Sequence, residues 1–412
     1  MSSIYAGIEL GTDSIKVVVM EKLNDQYHVL SSACCGSLGI RDSHIIDIKS
    51  AAASVKKAIK SASEMLGIKI TKVVACVPPT HCEMDIVPGE VEVINPKNIT
   101  GEDVRNLLSS ALKDRDFSEY ELVTAMPISF KVDGEDGIKD PKGMRGGFLE
   151  AKIVIGTMPK EELYRFLEVL KIAGVEVCDI GFTSTGDYFV VKNSRYDNSV
   201  GAIINMGETT TNVAVYNKGI QIKNSVLPFG SNNVDKDIAY IFNINEDVSK
   251  RLKETFAVGM SSYADTTEVI ELKNNQGEMK EISQVGISKV VEARVMEILK
   301  LAKNEIKNLT KREISYIIIT GGLSELAGFG YLVDAQFGAM AKVCNITTMG
   351  LRHNKYSSVL GIIKYFDDKI SLRGKSYNMI NSEEFDNLIS SQQKLVNNDN
   401  IIGKVFGHFF DS

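Results

Sequence analysis

Ile8-Glu9-Leu10-Gly11-Thr12-Asp13-Ser14-Ile15-Lys16 decides the fold. An apolar run ends in one glycine flanked by short polar residues, and a second apolar run starts at once. That is a strand, a tight turn and a second strand. The grammar returns at Ile203-Ile204-Asn205-Met206-Gly207-Glu208-Thr209-Thr210-Thr211, and the strand-then-glycine half of it at Ile317-Ile318-Ile319-Thr320-Gly321-Gly322. One such turn is weak information, because a glycine in a hairpin is usually only a turn. Three in this order, each after a buried-type strand, point to two lobes whose turns face each other.

Outward from the first turn, strands are expected over 4–10, 15–21 and 26–33, a helix over 48–66 and a short buried strand over 72–77. Residues 83–160 change character. Strand patterns at 85–94, 121–130 and 148–156 surround a helical pattern at 101–113, with a Gly/Asp/Lys-rich loop at 133–147. This is a compact β-α-β-β module inserted into a larger α/β frame. Helix 159–173 and strand 176–180 return to the frame, and strands 200–205, 212–216 and 219–227 open a second lobe. Residues 231–310 read mostly helical, apart from a polar hairpin-like stretch at 266–284. The longest helix, 287–309, carries Val290, Val291, Met296, Ile298, Leu299, Ala302 and Ile306 at helical spacing. Strand 314–319 and helix 356–366 complete the body. Residues 367–400 are polar with little periodicity and read as a tether.

Composition sets bounds on the reading. A chain of 412 residues exceeds one ordinary core, so two to four sub-domains are expected. A formal net charge of −6 disfavours a general nucleic-acid binder. No apolar run reaches the ~18 residues of a membrane-spanning helix, and no signal-peptide pattern opens the sequence. The six cysteines include no CxxC pair, and the adjacent Cys34 and Cys35 read as strand residues in a reducing compartment. No Walker-type phosphate loop and no zinc-spaced Cys/His cluster is present.

Two turns facing each other across a cleft can grip a polyphosphate with backbone N–H groups, where glycine permits close approach and positive φ. Gly11, Thr12, Asp13, Ser14 and Lys16 would supply one side, with Gly207, Glu208, Thr209 and Thr210 opposite. Gly321, Gly322 and Leu323 would leave room for a purine and its ribose. Lys253 and Glu254, taken alone, read as a solvated helix face.

These motifs resemble those of the FtsA family, the actin-like proteins that anchor the bacterial division ring. Gly7 to Lys16, the 39–67 region with Ile46-Asp47-Ile48, Ile138-Lys139-Asp140-Pro141, Ala173-Gly174-Val175, Asn205 to Tyr216, Val291-Glu292-Ala293-Arg294-Val295 and Thr320-Gly321-Gly322 carry the resemblance. It implies an α/β, actin-like ATPase (ribonuclease H-like) fold with two lobes around a nucleotide cleft. The first lobe core is expected in 1–82, completed by 161–198 and the helix near 356–366. An SHS2-type sub-domain is inserted at 83–160. The second lobe core is expected in 199–230 and 313–355, with a small sub-domain at 231–312. The tether at 367–400 and an amphipathic helix at 401–412 end the chain.

The implied ligand is ATP with Mg²⁺, the metal held through water near Glu9 and Asn205, and the resemblance places Lys253 and Glu254 on a helix flanking the adenine. Departures from the family pattern weaken that expectation. Glu9 stands where the family's first turn normally opens with Asp, and Asp13 replaces a small residue. Asn205, Glu208 and Thr209 replace an Asp and two glycines of the second turn. Two carboxylates thus enter the phosphate region, where like charges ~4 Å apart repel by roughly 1 to 4 kcal/mol. Weakened nucleotide binding and slow or absent hydrolysis are expected.

Ile401, Ile402, Val405, Phe406, Phe409 and Phe410 form one apolar stripe on a helix, with only Lys404 basic among 401–412 apart from His408. Membrane binding driven by apolar area is expected, on the cytoplasmic face of the membrane at the septum. The resemblance further implies that 231–312 receives the C-terminal peptide of FtsZ. Arg294 is the matched basic residue there, extended by Lys300, Lys303 and Lys307. It also implies head-to-tail self-assembly into filaments, and later division proteins docking on the insert. Two other readings stand beside this one. A PilM-like pilus scaffold is disfavoured by the Phe-rich tail, and an ATP-dependent enzyme of the actin/sugar-kinase superfamily is disfavoured by Asn205.

Overall fold

A computed structural model describes residues 3–372, 377–380 and 384–385. Its frame is one five-stranded pattern used twice. In the first sheet Ser3–Leu10, Ser14–Leu23 and Gln26–Gly36 form an antiparallel meander, and Lys72–Val77 and then Glu176–Phe182 add in parallel on the other side. In the second, Val200–Met206, Thr211–Asn217 and Ile220–Leu227 form the meander, and Tyr316–Thr320 and Ala341–Val343 add in parallel. The parallel strands read as nearly continuous apolar runs because both faces are covered. Lys72–Val77 and Tyr316–Thr320 are buried along almost their whole length.

Helix Ile48–Leu66 covers one face of the first sheet. Asp47 caps its N-terminus by accepting from the Lys49 and Ser50 amides, and Ala51, Ala52, Val55, Ala58, Ile59 and Ala62 form its buried stripe. In the second lobe helix Gln284–Leu309 does the same work. Ile287, Val291, Val295, Ile298, Leu299, Ala302 and Ile306 are its buried apolar residues, while the expected Val290 and Met296 are only half-buried at the margin.

The insert is a separate four-stranded sheet ordered Glu83–Glu92, Phe148–Pro159, Tyr120–Val132, Glu135–Ile138, with helix Gly101–Leu112 packed on it around its own core. Thr100 and Asp103 close a capping box at the start of that helix. Pro88 is tolerated because its strand lies at the sheet edge. The short strand Glu135–Ile138 lies inside the stretch expected to be a loop.

Helices Thr183–Val191 and Ser357–Leu372 cross each other at Gly186 and Gly361, where a Cβ at either glycine would collide with the other helix's backbone. The first of these helices has no clear periodicity and is not foreseen from the sequence.

The expected boundary at 367 also moves. The last helix runs to Leu372. Asp367 is buried and accepts from Tyr5 Oη at 2.8 Å, Tyr27 Oη at 2.6 Å and Lys22 Nζ at 2.8 Å. Met379, Ile380 and Phe385 are buried on the first lobe. A polar average over 367–400 hides these few anchoring residues. The tail stripe at 401–410 lies outside the described residues. Among the described residues, no helix is long and apolar enough to cross a membrane.

Candidate functional site

The strand ends of both sheets converge on one cavity of about 630 Å³, a size typical of small-molecule sites. Its wall includes every residue expected at a nucleotide. Gly11, Thr12, Asp13, Ser14 and Lys16 come from the first lobe, and Gly207, Glu208, Thr209 and Thr210 from the second. Lys253, Glu254, Gly321, Gly322 and Leu323 lie alongside, as do the expected metal-side residues Glu9 and Asn205.

The two turns have the same backbone. The Gly11 amide donates to the Ser14 carbonyl at 3.1 Å, and the Gly207 amide donates to the Thr210 carbonyl at 2.9 Å. Neither glycine has positive φ, which corrects that part of the expectation. Their role is close approach, because an ideal Cβ would lie 2.9 Å from the Ser14 carbonyl at Gly11 and 3.1 Å from the Thr210 carbonyl at Gly207. Only Gly321, at φ +93°, needs the left-handed region. Glu208 and Thr209 also avoid positive φ, so losing glycine there costs no backbone strain. The Glu208 carbonyl accepts from the Asn232 amide at 2.7 Å, which fixes the second turn to the start of helix Ser231–Phe242.

The charges are more tightly paired than expected. Lys16 donates to Glu9 Oε1 at 3.0 Å, so its ammonium is already engaged within the first turn. Burial works against that ammonium, but the Glu9 carboxylate outweighs it and holds Lys16 above the ordinary lysine value. Asp13 and Glu208, the two carboxylates expected to oppose the phosphates unless a divalent cation bridges them, share one protein cation. Lys250, from helix Glu246–Thr255, donates to Asp13 Oδ1 at 2.6 Å and to Glu208 Oε1 at 3.1 Å. Burial opposes ionisation of Asp13, yet Lys250 prevails and keeps it below the usual carboxylate range. The bridge joins the first lobe to the second across the cleft, beside the direct pair of Ser43 Oγ and Thr210 Oγ1 at 3.4 Å.

Lys253 proves to be neither a solvated charge nor a free one. It is buried, donates to Asp235 Oδ2 at 2.8 Å and bonds the Ser231 hydroxyl. Burial pushes Asp235 up to about 6, with Lys253 opposing. Glu254, by contrast, is exposed at the cavity rim.

Ten buried side-chain polar atoms have no partner among the described residues, and four belong to this wall: Glu9 Oε2, Thr80 Oγ1, Thr209 Oγ1 and Asn212 Oδ1. Buried polar groups are normally paired, so such a concentration marks a surface built for a polar ligand. Among the described residues, no group of three His, Cys, Asp or Glu side chains has the geometry to hold a metal. Magnesium is commonly held by one or two protein oxygens together with phosphates and water. Glu9 Oε2 and the Asn205 carbonyl oxygen are suitable acceptors for that arrangement.

Lys250, Ser43, His353 and Lys355 also line the cavity and escape sequence reading; Asp187, behind Asn205 and outside the cavity wall, escapes it too. The sequence offered one signal among these, the basic run from Lys250 to Lys253.

The expected partner residues separate. Arg294 clasps Asp237 through Nε at 2.6 Å and Nη2 at 3.0 Å, and reaches Glu297 at 2.6 Å. Lys303 donates to the Gln336 carbonyl at 2.6 Å, toward helix Phe329–Phe337. Arg294 instead faces helix Ser231–Phe242. The two therefore do not form one strip, and Lys300 is exposed between their positions in sequence. Cys34 and Cys35 are unbridged residues of strand Gln26–Gly36, as expected.

Comparison with known proteins agrees with this architecture. The family model described as cell division protein FtsA matches residues 202–361, and the SHS2 domain inserted in FtsA matches residues 80–157. Together they cover more than half of the chain. The FtsA of Streptococcus pneumoniae is 29% identical over 368 residues, covering 88% of this chain and 79% of that protein. The FtsA of Bacillus subtilis is 26% identical over 386 residues, covering 93% and 88%. Among solved structures, the PilM–PilN type IV pilus biogenesis complex matches with a TM-score of 0.59 at 14% identity, over 88% of this chain and 98% of that one. MreB5 of Spiroplasma citri bound to ADP matches with 0.55 at 13%, over 90% and 98%. These likenesses show the actin-like fold.

Proposed function

The chain belongs to the FtsA family, and from that premise we propose that it is an actin-like division scaffold controlled by a weakly held nucleotide. The observation that carries the nucleotide reading is the set of unpartnered polar atoms on a cavity framed by two matching turns. ATP would sit with its phosphates between Gly11–Ser14 and Gly207–Thr210 and its base toward Gly321, Gly322 and Leu323. Glu9 and Asn205 would hold magnesium through water, and the ion would neutralise charge between the carboxylates and the phosphates. Lys16 and Lys250 already serve protein carboxylates, which supports reduced affinity and slow or absent hydrolysis. The ADP-bound MreB5 structure supports a nucleotide of this class. A pilus scaffold has less support, because the PilM likeness reaches only the fold whereas the sequence relatives are division proteins.

The same reading assigns 231–312 to the C-terminal peptide of FtsZ, 83–160 to later division proteins and 401–412 to the cytoplasmic face of the membrane at the septum. Self-association through both lobes in a heterologous contact that does not close would give filaments. The stripe of Ile401, Ile402, Val405, Phe406, Phe409 and Phe410 supports the membrane role.

Phospholipid vesicles and a labelled peptide of the FtsZ C-terminus test the scaffold reading. The full chain is expected to carry the peptide to neutral and anionic vesicles alike. The Phe406→Asp, Phe409→Asp variant should lose the vesicles while keeping the peptide, and Lys300→Glu should do the reverse. Vesicle binding that survives both phenylalanine changes would contradict the membrane assignment.

A further inference from the structure

Behind the second turn lies a carboxylate that no motif announces. Asp187, on helix Thr183–Val191, is 1% exposed. It does not belong to the cavity wall, but its neighbours Asn205 and Ser358 do. Three donors converge on it. Ser357 Oγ and Ser358 Oγ donate to Oδ1 at 2.6 and 2.8 Å, and Asn205 Nδ2 donates to Oδ2 at 2.7 Å. Burial raises this carboxyl to about 7, while those donors pull the other way.

The consequence for Asn205 is directional. An asparagine has a donating end and an accepting end. A carboxylate met only by donors leaves Asn205 one orientation, with its NH₂ turned inward. Its carbonyl oxygen then points the other way, and a Cβ built on Gly321 would lie 2.5 Å from it. Gly321 is itself cavity wall, so the second turn presents an oxygen acceptor to the cleft.

We propose that Asp187 is the positioning residue of this cleft. It locks Asn205 so that Oδ1, rather than NH₂, meets the hydration shell of a divalent cation on bound phosphates. This rests on the nucleotide reading above. Metal-site partners that act through a neighbour typically carry a ~10- to 100-fold share of metal affinity, which sets the size of effect to seek.

The test is an exchange of the pair in the full chain, followed by thermal melts and by ATP titration in magnesium and in EDTA. Asp187→Asn removes the directional acceptor and lets Asn205 turn its NH₂ outward. The magnesium-dependent gain in ATP affinity should fall by ~10-fold or more, while affinity in EDTA stays nearly unchanged. Asn205→Asp sets two carboxylates against each other and should lower both the melting temperature and the magnesium gain. The double variant, Asp187→Asn with Asn205→Asp, puts the carboxylate on the cavity side and an amide behind it. The amide at position 187 then accepts from Ser357 and Ser358 and donates to the carboxylate at position 205. This variant should recover most of both losses. Recovered melting temperature with an unchanged magnesium gain in all three variants would overturn the positioning role and leave the nucleotide reading standing. No ATP binding by the wild-type chain, with or without magnesium, would overturn that reading and this inference with it.

Discussion

The turns Gly11–Ser14 and Gly207–Thr210 share a backbone and differ in where their charge is kept. The first is self-contained, since Glu9 and Lys16 pair across one hairpin, seven residues apart in sequence. Two residues before its glycine, where the first turn has Glu9, the second has an amide, Asn205, whose carboxylate partner is Asp187 on a helix that precedes it. Lys250 then joins the turns through Asp13 and Glu208. One backbone device can thus be charged locally or from a distance.

The largest effect should come from breaking the local pair. Lys16→Met leaves Glu9 uncompensated in a nearly buried place and should cost about 3–5 kcal/mol in denaturant unfolding. Adding Glu9→Gln should recover much of that, because no orphaned charge remains. A single-variant loss below about 1 kcal/mol would show that the first turn does not depend on its own pair.

The shared bridge should matter less. Asp13 is half exposed, so Lys250→Met should cost no more than about 1 kcal/mol, with the difference from wild type shrinking at high salt. Asp13 is held below its ordinary value by Lys250. Its contribution is therefore full above the unfolded carboxylate range, about pH 4, and is lost as pH falls through the depressed value. Acid titration of wild type and variant should converge there. A variant whose deficit persists at low pH would assign Lys250 a different role.

The smallest stability change, with a distinct binding change, is expected at Thr209. Its hydroxyl has no partner among the described residues, so Thr209→Val should leave stability within about 0.5 kcal/mol. ATP binding should weaken by about 1 kcal/mol, the net worth of one hydrogen bond. Equal affinity in both proteins would remove Thr209 from the phosphate side.

Sequence makes the first turn legible because everything it needs lies between Glu9 and Lys16. The doubled five-strand frame is legible for a related reason: buried parallel strands such as Lys72–Val77 and Tyr316–Thr320 are short, apolar and bounded by Pro or Gly. The second turn is only half legible. Asn205 reads as a lost carboxylate, and its replacement lies 18 residues away on a nine-residue helix without amphipathic pattern. Lys250 is similarly hidden, being 237 residues from Asp13. Arg294 and Lys303 look like one basic strip because sequence does not show their partners, Asp237 and the Gln336 carbonyl, on two different helices. The tether expectation fails at 367–372 and at Met379, Ile380 and Phe385, where isolated anchors are outvoted by polar neighbours.

Calorimetric titration of ATP into the full chain, with and without magnesium, tests the central claim most directly. The account predicts measurable but weak binding, in the micromolar range or above, that magnesium strengthens. Absence of binding under both conditions would contradict it, leaving the cavity between the two turns without a nucleotide to hold.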